Sequence, residues 1–69
     1  MIFKQSDLIL RRIDLKSQNV YIDIVLSVRN EYELLEVAYI KNDNWIVDMH
    51  DVDYITARVV EIVHPDEDD

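Results

Sequence analysis

The sequence predicts a mainly β fold: a small antiparallel sheet or an SH3-like barrel of four to five strands. An α+β domain with one terminal helix is the alternative. Three observations lead there. From Asn19 to Arg29, Val20, Ile22, Ile24, Leu26 and Val28 alternate with Tyr21, Asp23, Val25, Ser27 and Arg29. That period of two is the pattern of a half-buried strand. Lys41-Asn42-Asp43-Asn44 lies between two apolar runs and is rich in Asn and Asp, as hairpin turns are. The runs themselves are filled with Val, Ile and Tyr, which suit a pleated surface.

Taken in order, Asp7 to Leu15 fits either period. Leu8, Leu10 and Arg12 alternate with Ile9, Arg11 and Ile13, while Ile9 and Ile13 also suit a helical face capped by Ser6. A strand paired with Val20–Val28 across Lys16-Ser17-Gln18 is the preferred reading. Asn30-Glu31-Tyr32-Glu33 reads as a turn. In the next strand, Leu34 to Lys41, Leu35, Val37 and Tyr39 share one face. Trp45 to His50 returns antiparallel, with Trp45, Val47 and Met49 opposite Ile46, Asp48 and His50. Val52 to Val63 has helical spacing but strand composition. The reading is a strand preceded by a short helical turn at Asp51–Tyr54, with a full helix as the alternative. His64-Pro65 ends it, because proline disfavours helix before it and cannot extend a sheet interior. The domain is 1–65, and Asp66-Glu67-Asp68-Asp69 reads as an acidic mobile tail.

The chain has no glycine. Phosphate-cradling loops and dinucleotide fingerprints need glycine and are excluded. Left-handed backbone positions fall by expectation to Asn19, Asn30, Asn42 and Asn44. The absence of cysteine removes disulfides and thiolate metal sites, and fits a reducing cytoplasm. No apolar run is long enough to span a bilayer, and Met1 to Asp7 lacks the layout of a signal peptide. The expected location is cytoplasmic, with no membrane partner.

Charge is the most informative feature. The net charge is −8 over 69 residues. Residues 1–29 hold five cations against three acids, a net of +2, whereas residues 30–69 hold two cations against twelve acids, a net of −10. Such a field repels nucleic acid and attracts basic protein surfaces. Arg11-Arg12 with Lys4, Lys16 and Arg29 lack the aromatic interleaving of a nucleic-acid site, so direct nucleic-acid binding is not expected. These cations suit acids on neighbouring strands instead.

Asp48-Met49-His50-Asp51-Val52-Asp53 is the one run resembling a divalent-metal site. It lacks the glycine of a calcium loop and the spacing of a zinc enzyme, so no metal or cofactor is assigned. No serine sits in a nucleophile elbow, and an enzyme is not expected. The candidate partner-binding residues are Glu31, Glu33, Glu36, Asp48, Asp51, Asp53 and Trp45. Carboxylates two apart on a strand stand ~6.8 Å apart, a rigid array that would suit a groove built for phosphates. Exposed Tyr21, Tyr32, Tyr39 or Tyr54 would add anchors. Solubility alone is the bland explanation of the same charges. Trp45 reads first as the core's largest filler and second as an interface anchor.

In size, charge and lack of a catalytic motif, the whole chain resembles the small acidic inhibitors that phages and other mobile elements encode. Nucleic-acid mimics, anti-restriction and anti-CRISPR proteins belong to that class. The resemblance implies inhibition of a partner with a basic nucleic-acid-binding surface, and it assigns no particular residue. An accessory or immunity-type protein binding one partner through an apolar face is the second reading. A homodimer would cover the face that so small a sheet leaves open.

Overall fold

Leu8–Arg12 (β1), Val20–Arg29 (β2), Leu34–Lys41 (β3), Asn44–Asp51 (β4) and Val59–Val63 (β5) form one open antiparallel sheet in the order β4-β3-β2-β1-β5. The structure is a computed structural model and describes residues 3–65. The expected tail, 66–69, lies outside the described residues. β1 to β4 run as hairpins, and the ambiguous Asp7–Leu15 stretch is the strand that pairs with β2. The chain then crosses one face of the sheet through a short helix, Val52–Thr56 (α1), and returns at the far edge as β5 beside β1. The disagreement between period and composition in residues 52–63 thus reflects two elements in succession.

The sheet does not close into a barrel, since β4 and β5 remain as its edges. Its interior side is filled by α1 and by residues 3–7, rather than by strands folded back. Ser6 N–H donates to the Val25 carbonyl (2.8 Å) and Val25 N–H to that of Asp7 (2.9 Å), which fixes the N-terminal segment against β2. Asp7 is buried, accepts from the Lys4 amide (2.8 Å) and lies 2.8 Å from His64 Nδ1 just beyond β5. Phe3, Ile9, Val25, Leu35, Val37, Tyr39 and Ile55 make the core beneath this cover. Each fully buried aliphatic here contributes about 1.5–3 kcal/mol.

The alternation holds in β4 and in β2 as far as Val25, with the more polar side inward; a bulge between Val25 and Ser27 then reverses the parity, so that Val28 packs on the core and Ser27 faces outward. Asp23 is fully buried. Its carboxylate accepts from Arg11 Nε (2.5 Å) and NH2 (3.0 Å), a forked ion pair across the β1–β2 ladder. Burial opposes the charge on Arg11, but the hydrogen bond and attraction of Asp23 outweigh it and hold the guanidinium above its ordinary pKa. The rings of Tyr21 and Tyr39 flank the guanidinium, each 5.2 Å from its carbon.

Trp45 is therefore not the core filler that its size suggests. It is 63% exposed on the outer face, with Val47 and then Met49 following it in the same row of β4. Position in the pleat decides this: Ile46, Asp48 and His50 face α1, and Trp45 points away. The left-handed positions also need correction. They are Ser6, Glu33, Asn42 and Asp43, so of the four asparagines expected only Asn42 is one. Asn42 (φ 52°) and Asp43 (φ 65°) are the two central residues of a tight hairpin turn, which demands positive φ at both.

Replacing Asp43 with glycine should stabilise the fold by about 1 kcal/mol, because a side chain in this region costs roughly that much. In thermal melts the midpoint should rise by about 4–8 °C; an unchanged or lower midpoint would contradict it. Asp23→Ala should cost about 3–5 kcal/mol by stranding a buried guanidinium. That approaches the entire stability of a small domain. Urea titration checks it, and a loss below about 1 kcal/mol would show that the pair is dispensable.

Candidate protein-binding surfaces

The sheet carries two different surfaces. The first is acidic and lies at the end where β2 turns into β3. A 3-10 turn, Asn30–Tyr32, ends on Glu33 in the left-handed region (φ 55°). The Glu33 carbonyl accepts the amide of Val52 (2.8 Å), and Leu34 pairs with Asp51. Two segments distant in sequence meet here, so Glu31 and Glu33 share one end of the sheet with Asp51 and Asp53. All four are exposed, and no ion pair to any of them occurs among the described residues. Tyr32 stands among them at 68% exposure. Beside it is a shallow hollow of about 370 Å³ lined by Val28, Arg29, Asn30, Glu31 and Tyr32.

The remaining carboxylates of the expected array go elsewhere. Glu36 pairs with Met49 on the outer face and accepts from Ser27 Oγ (3.1 Å). Asp48 is on the opposite face, where it accepts the hydroxyl of Tyr39 (2.5 Å). The carboxylates therefore do not form one continuous row. Of the tyrosines, only Tyr32 is freely exposed; Tyr39 is buried, and Tyr21 and Tyr54 are half-buried.

Asp48 belongs to a polar bridge under α1. His50 Nε2 is 3.7 Å from its carboxylate, and the imidazole stacks on Tyr54 with centroids 4.6 Å apart. The Arg58 guanidinium covers the same Tyr54 ring at 3.8 Å. Burial, then repulsion from Arg11, lowers the pKa of His50 against the pull of Asp48. The run Asp48 to Asp53 does not converge on a point: no group of three His, Asp or Glu poised for a metal occurs among the described residues. No helix among them is long and apolar enough to cross a membrane.

The second surface is the outer face itself. Trp45 and Val47 of β4, Ile40 of β3 and Ile22 of β2 are each more than half exposed, and Met49, Val20 and Leu26 are only somewhat less so. Leu8, Val20, Ile22, Ile24, Ile40 and Trp45 surround a groove of about 390 Å³. The apolar stripe of β2 contained the signal for this surface, but the stripe does not say which side is covered.

The Tyr39–Asp48 hydrogen bond gives a pH test. Tyr39 is raised from 10 to about 12, first by that bond and then by burial. The folded protein therefore favours the protonated phenol. This contribution is complete below about pH 10 and is lost as pH rises toward 12. Melting temperature should fall over that window, and Tyr39→Phe should flatten the fall; identical profiles for both proteins would contradict it. No family model, curated protein or solved structure matches this chain.

Proposed function

We propose that this is a small non-enzymatic binding protein that engages a basic surface of a protein partner through the acidic end of its sheet. The supporting observation is that the Glu33–Val52 backbone bond and the Leu34–Asp51 pairing bring the segments bearing exposed Glu31, Glu33, Asp51 and Asp53 to the end of the sheet that also holds exposed Tyr32. Long-range attraction would steer a basic partner toward this end. Tyr32 and the adjacent hollow would supply desolvated contact once it arrives. A nucleic-acid-binding groove is a basic surface suited to such a cluster of carboxylates, so the reading extends to an inhibitor of the phage type. A cytoplasmic setting suits a chain without cysteine. Glu33 strengthens the case, because a glutamate in the left-handed region costs about 1–2 kcal/mol where glycine would not.

A second reading, contact with one partner through an apolar face, is favoured by the exposure of Trp45 and Ile22.

The test is affinity capture from host lysate at low and high salt, followed by binding measurements on the captured partner. Capture should fail near 0.5 M salt, where screening is short-ranged (about 4 Å). Asp51→Asn with Asp53→Asn should weaken binding roughly tenfold, at up to about 1 kcal/mol for each exposed charge. Glu33→Gly should weaken binding while raising the melting temperature. Salt-insensitive binding, or binding lost on deleting 66–69 alone, would exclude the acidic end as the contact.

A further inference from the structure

We infer that the outer face is covered by a second copy of this chain, in a twofold sandwich whose axis runs above β3. The first argument is where the apolar surface lies. Trp45, Val47 and Met49 on β4, Ile40 on β3, and Val20, Ile22 and Leu26 on β2 are all exposed. On β1, by contrast, the outward Leu8 and Leu10 are already half-buried. The main exposed patch is therefore a strip three strands wide with β3 at its centre, and Val63 of β5 (40% exposed) lies apart from it, beyond half-buried Leu8. A strip centred on one strand is self-complementary about an axis along that strand.

The second argument is fit. β4 and β2 flank β3, each ~4.8 Å away. Rotation about an axis above β3 lays β4 of each copy over β2 of the other. The ladder registers then place Trp45 over Ile22 of its mate, and Val47 over Ile24, because Trp45 pairs with Ile40 and Val47 with Ala38, the partner of Ile24. The groove beside Ile22 would receive the indole, and the exchange is reciprocal, as an isologous contact requires. Ala38, on the axis, lets the two sheets approach to the usual ~10 Å.

Area is the third argument. The seven side chains expose on the order of 700 Å² per copy, close to the ~800 Å² per partner of a standard interface and above the ~300–600 Å² patch of a typical monomer. Of the acidic end, Asp51 closes the outward row of β4 at the margin of the overlap, while Glu31, Glu33 and Asp53 lie beyond the paired strands.

One feature opposes the contact and makes it testable. Glu36 lies on the axis, so the two copies bring their Glu36 carboxylates toward each other. Glu36→Gln should therefore tighten the dimer several-fold, whereas it would weaken the grip of a basic partner on the same face. Trp45 is the sole tryptophan and reports burial directly.

The experiment is sedimentation equilibrium of the full chain from about 1 to 500 μM, at a standard-size interface's expected micromolar range, with tryptophan emission read on the same samples. The expected result is a dimer whose emission shifts blue in step with association. Ile22→Glu should abolish both, with circular dichroism confirming that this exposed position leaves the fold intact. A monomer throughout, a dimer with unshifted emission, or a Glu36→Gln variant that dimerises more weakly would each overturn the inference. None of these results would bear on the acidic end, whose contact is judged by partner capture.

Discussion

The buried pair of Arg11 and Asp23 decides which side of this sheet is the inside. A strand can present either face to its core, and β2 offers a cleaner apolar face on the side it leaves outward. Two opposite charges that satisfy each other through a fork can go under cover together, whereas either one alone could not. The pair also spans the β1–β2 ladder, so a one-residue slip of β1 would carry Arg11 to the face opposite Asp23 and break the fork. The flanking rings of Tyr21 and Tyr39 extend the arrangement to β3, and the Tyr39 hydroxyl carries it to Asp48 on β4. Four strands are thus held to one choice of face by a chain of polar contacts under α1.

Strand content was legible because alternation is a local property. β2, β3, β4 and the Asn42-Asp43 turn follow directly from it, and the short helix before β5 from the mixed pattern of residues 51–63. The sidedness was not legible, because it depends on what lies across the sheet. Ile55 and Phe3 cover the inner face, yet neither stands out in a list of apolar residues. Trp45 is the clearest casualty. Size argues for burial, but its parity with Val47 and Met49 ties it to the uncovered side. The left-handed positions show a similar limit: Ser6 and Glu33 adopt positive φ because turn geometry requires it there, and a chain without glycine fills such sites with whatever residue is present.

The acidic character of residues 30–69 resolves into separate roles once the chain is folded. Glu31, Glu33, Asp51 and Asp53 share one end and form no ion pair among the described residues. Asp48 is used internally, and Glu36 sits amid apolar neighbours on the outer face. Sequence proximity grouped Asp48 with Asp51 and Asp53, but the pleat and the β4–α1 junction part them. What brings Glu33 beside Asp51 is a register between two strands, a relation that spacing along the chain cannot express.

The placement of β5 sets an order on how the fold can be completed. β1 precedes β2, β3 and β4 in the chain, yet its second neighbour, β5, follows all of them. Until Val59–Val63 arrives, Leu8-Ile9-Leu10 offers an unpaired edge beside a hairpin already able to form. Closing that gap also brings His64 to Asp7, so the final strand docks and fastens the N-terminal segment in one step. A nascent chain would therefore be most vulnerable to mispairing after β4 has emerged and before Val59–Val63 follows.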